Sequence, residues 1–459
     1  MESSEDVERR VRRVERDVMS GRRLEDFFTL PAAQRSPVLL KEIEAQHCYH
    51  YERNVAYRQT VTARGIGPRI SPEDLARLLR PAALTFKSYI EFIGPFPQDD
   101  PPGFLRWLSD QLSIPLPRER WSACRRRYRT LETLLCDIER IYADLGLEIV
   151  TSTGTSGRAS FVARNADTVA LAVHAFFTGI HRAWGVERGT ALVFVMPQDT
   201  RVAMARSARF GTRQLDWAAD SPVYYTMPFS ATPDLIRIRT GRVFRPGFEG
   251  MVEQRVLHPW MAWANERLAT PRFVATTLAR VRECARAGRP LMLLGGLVQL
   301  HAIASQAAMS LPPGSRVATG GGMKEQYPFT PAQIRTDLRA AFGAPVSDVY
   351  GMAEANWAAF ECPHGNYHVP PWVYAVVTDD DDRIVSGPDA TGLLAFFDPI
   401  GGGTLIPPFF QTTDHVRLVN GGRDYDPSLA CPCGYDSAYI KGSIQRVDLM
   451  EEAGCAAQI

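Results

Sequence analysis

Lysine is scarce in this chain: only Lys41, Lys87, Lys324 and Lys441 occur in 459 residues, so arginine carries nearly all the positive charge. Long apolar runs are missing too, and nothing approaches the roughly 18 residues of a membrane-spanning helix. Met1 to Arg23 is polar and Arg-rich with no apolar centre, which excludes a secretory signal and makes a cytoplasmic protein the expectation. A charge excess of one sign is likewise absent: the net charge is +1, and it gives no support to nucleic acid or an anionic membrane as partner. Arg9-Arg10, Arg12-Arg13 and Arg125-Arg126-Arg127 sit in helix-like stretches that also hold acids, the pattern of solvated faces. No internal repeat is present, and no Gly-Lys-Ser/Thr follows the glycine-rich runs, which excludes a Walker loop.

What is present is a change of pattern along the chain. Residues 1–145 carry apolar positions at three and four spacing (Val7 to Phe28, Glu42 to Val61, Leu75 to Leu84, Cys124 to Leu145) and predict a mainly helical part. Over 146–355, apolar runs at Ala191 to Met196, Pro290 to Leu294, Arg316 to Thr319 and Val346 to Tyr350 alternate with amphipathic segments, predicting an α/β part with parallel sheets flanked by helices. Over 356–446, strand and turn signals dominate (Trp372 to Thr378, Leu393 to Phe397, His415 to Val419), predicting a smaller β-rich subdomain. Residues 447–459 form a short tail.

The segment with most chemistry is Thr151-Ser-Thr153-Gly154-Thr155-Ser156-Gly157-Arg158, after the apolar Leu147 to Val150. Glycines admit a polyanion close to the backbone, and hydroxyls and Arg158 supply donors, so ATP is the first ligand to test. Ala318-Thr-Gly320-Gly321-Gly322-Met323-Lys324 and Val349-Tyr350-Gly351-Met-Ala-Glu354 each end a predicted strand, where ligands of open α/β sheets bind. Asp414, in Gln411-Thr-Thr-Asp, suits ribose hydroxyls, and Arg446 offers a guanidinium.

These segments, in this order, resemble the adenylate-forming superfamily of acyl-CoA synthetases, luciferase-like ligases and peptide-synthetase adenylation domains. Gly320-Gly-Gly-Met-Lys324 and His368-Val-Pro-Pro-Trp372 look closest to its phenylacetate-CoA ligase and bacterial acyl-protein synthetase branch. The resemblance implies that Thr153, Gly154, Thr155, Ser156 and Gly157 hold the ATP phosphates and that Tyr350 stacks on adenine beside Gly321 and Gly322. It implies that Glu354 coordinates Mg²⁺, Asp414 binds ribose and Arg446 sits at a hinge. The implied reaction turns a carboxylic acid into its acyl-adenylate, then passes the acyl group to CoA, a carrier-protein thiol, an amine or the chain's own cysteine. Residues between about Phe176 and Gln299, with His181, Trp184, Trp217 and Phe229 and with His174 just before, would shape the acid pocket. A second copy of the chain is a candidate partner. Alternatives from other classes are a catalytically lapsed nucleotide-binding or zinc-stabilised subunit and an ATP-independent acyltransferase using Cys455.

Of eight cysteines, Cys48, Cys124, Cys136 and Cys284 lack partners at metal or disulfide spacing and are expected as buried thiols. Cys362, His368, Cys431 and Cys433 supply three thiolates and an imidazole suited to tetrahedral Zn²⁺, with His364 the competing ligand. The superfamily's C-terminal lid, with its catalytic lysine, would need far more than the thirteen residues after Arg446. Whether Lys324 or Lys441 takes that lysine's place is left open by the sequence.

Overall fold

The computed structural model describes residues 24–114, 116–153, 158–215, 217–307, 309–322 and 327–447. Its strands in chain order are β1 (Arg80–Pro81), the hairpin β2 (Glu148–Thr151) and β3 (Phe161–Arg164), then β4 (Ala191–Pro197), β5 (Val223–Met227), β6 (Leu291–Gly295), β7 (Arg316–Gly320) and β8 (Val346–Gly351). These are followed by β9 (Ala358–Glu361), β10 (Asn366–His368), β11 (Tyr374–Thr378), β12 (Asp389–Phe397), β13 (Phe409–Val419), β14 (Tyr439–Lys441) and β15 (Gln445–Arg446). Residues 24–145 are chiefly helical, with Ala32–Arg53, Pro101–Gln111 and Leu131–Ile141 the longest helices.

β5, β4, β6, β7 and β8 form a parallel block in the order β8-β7-β6-β4-β5. Strand alternation divides their side chains between two faces. From β4, Ala191, Val193 and Val195 enter one core with the helices Thr270–Arg286 and Pro331–Phe342, while Leu192, Phe194 and Met196 enter another with the helix Ala166–Trp184. Apolar residues on both faces are what a doubly covered parallel strand requires.

The strands after residue 356 continue the same sheet. β8 pairs antiparallel with β9, β9 with β10, β10 with β14, and β14 with β13, which carries β12 on its far side. β8 and β13 are thus four strand spacings apart along the hydrogen bonding, about 19 Å in a flat sheet. Yet Tyr350 of β8 and Asp414 of β13 touch at 2.7 Å. The sheet therefore bends over the short strands β9, β10 and β14, so that β8 and β13 face each other across a trough.

Candidate functional site

The trough holds the polar centre. Tyr350 Oη donates to Asp414 Oδ2 at 2.7 Å, and Arg446 Nε donates to Asp414 Oδ1 at 3.2 Å. Register explains the second contact, since β15 pairs with β13 and sets Arg446 directly opposite Asp414. Asp414 is only 3% exposed, and its own N–H is taken by Thr412 Oγ1 at 3.0 Å. Burial, then the Asp414 carboxylate, pushes the Tyr350 phenol well above its ordinary range, so it stays a donor. Burial works against the Arg446 charge, but Asp414, with Tyr350 and Glu354 behind it, raises its pKa.

Glu354 follows β8 in the turn before β9 and is half-buried. Beneath it lies Arg164, at the end of β3 and 4% exposed, donating to the carbonyls of Ala353 at 3.3 Å and Ala355 at 3.1 Å. These two bonds bracket Glu354 and fix its turn. Burial draws the Arg164 pKa down to about 10, and Glu354 opposes that fall. A cavity of about 30 Å³, the size of one water, is lined by Arg164, Glu354, Asn356 and Asp398. Asp398 is 1% exposed, accepts from Gly401 N–H at 2.8 Å through Oδ1 and leaves Oδ2 unpaired, and burial pushes its carboxyl up to about 7.

Gly321 and Gly322 follow β7 with φ of +83° and +63°, a left-handed pair that glycine adopts without strain. Because Gly320 pairs with Val349, Gly321 stands level with Tyr350 at the carboxyl edge of the sheet. The hydroxyl-rich loop joins β2 to β3. Thr151 N–H donates to Arg201 O at 2.7 Å, which ties the loop's entry to the segment after β4. Buried Arg201 is in turn gripped by Glu132 at 2.8 Å and by Glu139 at 3.0 Å. Thr153 is half-buried at the start of the loop. Gly154, Thr155, Ser156 and Gly157, like Lys324 and Cys455, lie outside the described residues.

The structure thus brings together Tyr350, Asp414, Arg446 and Glu354, with Gly321 and Gly322 on the neighbouring strand. Lys441 stands elsewhere: it is exposed on β14, opposite Asn366, and its charge joins Arg417 in holding the Asp389 carboxyl below its ordinary range. Trp184 and Trp217 are both 6% exposed and pack with Phe177 and Phe360, so they serve the core. His174 meets Glu25, and His181 bonds Val186 O at 3.3 Å. A cavity of about 450 Å³ beside the edge strand β5 is lined by Arg209, Arg213, Arg280, Tyr224 and Tyr225, all within the 176–299 stretch, and by none of His174, His181, Trp184, Trp217 and Phe229. Arg164 and Asp398 were not expected from the sequence. Their one signal was a charged residue ending an apolar strand, Phe161-Val-Ala-Arg164 and Leu393-Leu-Ala-Phe-Phe-Asp398.

A second cluster sits where the sheet bends. The ligand atoms of Cys362, His368, Cys431 and Cys433 all lie within 4.8 Å of one another. Cys362 Sγ is 3.8 Å from Cys431 Sγ, and Cys433 Sγ is 3.2 Å from His368 Nε2. Zinc bonds of about 2.3 Å to sulfur and 2.0 Å to nitrogen set tetrahedral ligand pairs roughly 3.5–3.8 Å apart, so the donor set fits that ion. Burial pushes the His368 pKa down to about 4, leaving the neutral imidazole a metal requires, and its Nδ1 lies 3.1 Å from Ser437 Oγ. Asn366 Nδ2 and Tyr435 N–H donate to the sulfurs of Cys431 and Cys433 at 3.2 and 3.4 Å. His364 is exposed in the β9–β10 turn and outside the cluster. Of the other thiols Cys284 is buried, but Cys48 and Cys124 are half-buried and Cys136 is exposed, which corrects the expectation for those three.

A polar trough lies at the carboxyl edge of the parallel block, with the Asp414 carboxylate opposite the Tyr350 ring, and the chain around it has the fold of the adenylate-forming ligases. Two crystal structures of 2-hydroxyisobutyryl-CoA ligase align with 92% of it. An open conformation in complex with 2-HIB-AMP and CoA matches over 77% of its own chain with TM-score 0.57 and 16% identity. The thioesterification state matches over 70% with TM-score 0.54 and 17% identity. More particularly, residues 260–459 match the family model of the acyl-protein synthetase, LuxE. The long-chain-fatty-acid–luciferin-component ligase of Aliivibrio fischeri is 29% identical over 111 residues, which are 24% of this chain and 26% of that protein. The chain therefore spans about a quarter of the length of the curated relative it matches. The likeness to the adenylate-forming ligases is one of fold, and the likeness to the acyl-protein synthetase family is carried by residues 260–459. Among the described residues no helix is long and apolar enough to cross a membrane.

Proposed function

We propose that the protein activates a carboxylic acid with ATP and hands the acyl group to a thiol or amine. The observation that carries this reading is the Tyr350–Asp414–Arg446 contact, with Glu354 within the field of Arg446. In the first step an oxygen of the acid attacks the α-phosphorus of ATP; the bond to the β-phosphate oxygen breaks and pyrophosphate leaves. In the second, a thiolate or amine attacks the acyl carbon and AMP leaves. Asp414 accepts the ribose hydroxyls, Tyr350 offers its ring to adenine, Gly321 and Gly322 let the base lie on bare backbone, and Arg446 faces the α-phosphate. Thr153, Gly154, Thr155, Ser156 and Gly157 are the residues this reading assigns to the phosphates, by the hydroxyls and glycines of their sequence. Glu354, fixed by Arg164, is the carboxylate that would hold Mg²⁺, whose chemistry is to neutralise charge on the departing pyrophosphate. Lys324 and Lys441 are the two late lysines to test for a role at the α-phosphate, with Lys324 the better placed in sequence, two residues after Gly322.

A structural Zn²⁺ on Cys362, His368, Cys431 and Cys433 belongs to the same reading, and so does a cytoplasmic location, where thiols stay reduced. The test is pyrophosphate exchange with a panel of acids, long-chain fatty acids first, combined with mass spectrometry for acyl-AMP. Exchange with at least one acid is expected. No exchange with any acid would leave a lapsed nucleotide-binding subunit. Acyl labelling of Cys455 from an acyl donor without ATP would point instead to a cysteine acyltransferase.

A further inference from the structure

The chain between residues 247 and 286 is one unbroken helical rod, and its two halves behave oppositely. The second half buries Phe273, Val274, Leu278 and Val281 against the parallel block. The first half leaves its large apolar side chains in water: Phe248 is 75% exposed, Val256 57%, Trp260 58%, Trp263 52%, and Met251 and Leu268 each 42%. Its other side is already occupied. Glu253 takes both Arg237 nitrogens at 2.6 and 2.7 Å, and His258 Nδ1 donates to Ile238 O at 2.9 Å, which docks the rod on the helix Pro233–Thr240.

Two wide turns, Glu253–Leu257 and Asn265–Ala269, explain why the exposed residues form a stripe. Each ends two residues before a proline, Pro259 or Pro271. A proline ring collides with the carbonyl four residues back and brings no N–H, so the turn opens to the i to i+5 pattern. In a uniform α-helix Leu268 would fall about 140° around the axis from Trp263. The wide turn rotates it back, and likewise brings Val256 under Phe248. A strip about 30 Å long results, from Phe248 to Leu268.

We propose that this strip is the contact between two copies of the chain, the rods lying antiparallel across a twofold axis near Trp260. Size supports a second copy: at roughly 150–250 Å² per aromatic side chain and somewhat less per aliphatic one, the exposed fractions leave on the order of 600 Å² of apolar surface, most of one partner's share of a standard interface. Charge supports it as well. The strip is flanked by both signs, Arg255 and Arg267 with Glu266 on one side and Glu249 on the other. Arg255 and Glu266 lie nearly symmetrically about Trp260, so in an antiparallel pair each meets the other's counterpart. An anionic lipid surface would attract the arginines but repel the glutamates.

Sedimentation or light scattering of the full chain from roughly 1 to 50 µM, where a standard-size interface is populated, tests this. The wild type is expected at the mass of two chains. Trp260→Glu with Trp263→Glu is expected at the mass of one, with association at least a hundredfold weaker and an unchanged circular dichroism spectrum, since both indoles are solvent-facing. Arg255→Glu should weaken the pair and Arg255→Glu with Glu266→Arg should restore it. A wild type that stays single throughout overturns the proposal, as does a double tryptophan variant that still pairs. A single-chain wild type that sediments with vesicles rich in anionic lipid also overturns it and gives the strip to a membrane surface.

Discussion

Tyr350 and Asp414, 64 residues apart in sequence, share a 2.7 Å hydrogen bond, and Arg446 takes the carboxylate's other oxygen at 3.2 Å. Because burial keeps the phenol protonated far above neutral pH, it donates across the working range. Tyr350→Phe should therefore weaken ATP binding about tenfold, a loss of roughly 1.4 kcal/mol, and Asp414→Ala about a hundredfold. Titration calorimetry with ATP and with AMP measures both. Wild-type affinity in the two variants would remove this pair from the nucleotide site.

Arg164 acts one step behind Glu354. Arg164→Met keeps the bulk but strips two hydrogen bonds from the carbonyls of Ala353 and Ala355. Pyrophosphate exchange should fall at least about a hundredfold, since a misplaced carboxylate loses its hold on the departing charge. ATP affinity should change less than about threefold, and urea unfolding should show a loss of about 2–3 kcal/mol from the unpaired carbonyls. Equal losses in affinity and rate would mean that Arg164 touches nucleotide binding itself.

Asp398 gives a pH signature. Its carboxyl is raised to about 7 in the fold from an ordinary value near 4, so the folded state holds the proton more tightly than the unfolded chain. Its contribution to stability is complete below pH 4 and is lost as pH rises to about 7, amounting to a few kcal/mol at most. Asp398→Asn should flatten the unfolding free energy against pH between those limits. A slope identical to wild type would show that Asp398 does not titrate there.

Metal analysis separates the cluster's members. One zinc per chain is expected from wild type, from Cys124→Ser and from His364→Ala; Cys362→Ser, Cys433→Ser and His368→Ala should lose it. Removing zinc with a strong chelator should lower the melting temperature by several degrees, because ligand binding to the folded state adds directly to its stability. Zinc retained in His368→Ala but lost in His364→Ala would reverse the ligand assignment.

How much of this could be read beforehand depended on burial. Strands β4 and β6 announce themselves as continuous apolar runs because helices cover both their faces, while β7 and β8 show shorter apolar stretches broken by Arg316, Thr319, Ser347 and Asp348. β5, Val223-Tyr-Tyr-Thr-Met227, is the edge of the sheet and mostly half-buried, and its short run has no apolar–polar alternation to mark it. β10 and β14, three residues each, are too short to show a period. Cys136 was misjudged for a local reason. The helix Leu131–Ile141 buries Leu131, Leu134, Leu135 and Ile138, and position 136 falls on the opposite side. Cys362, His368, Cys431 and Cys433 were legible as a set with His364 as competitor, and strand pairing sets His368 against Tyr439 and leaves His364 in a turn outside the cluster. Tyr350 and Asp414 were each legible as polar residues in motif-like runs. Their contact was not, because it depends on the bend between their strands.

That bend has a further consequence. Along the sheet, the two walls of the trough are joined by narrow rungs of main-chain bonding across β9, β10 and β14, beside the thiol–imidazole knot. Oxidising the sulfurs, or adding a residue to either three-residue rung, would straighten the floor and draw the phenol away from the carboxylate. If the cleft binds ATP as proposed, such a change would weaken that binding while leaving Tyr350, Asp414 and Arg446 chemically unaltered, so damage at a distance would be mistaken for a broken site residue.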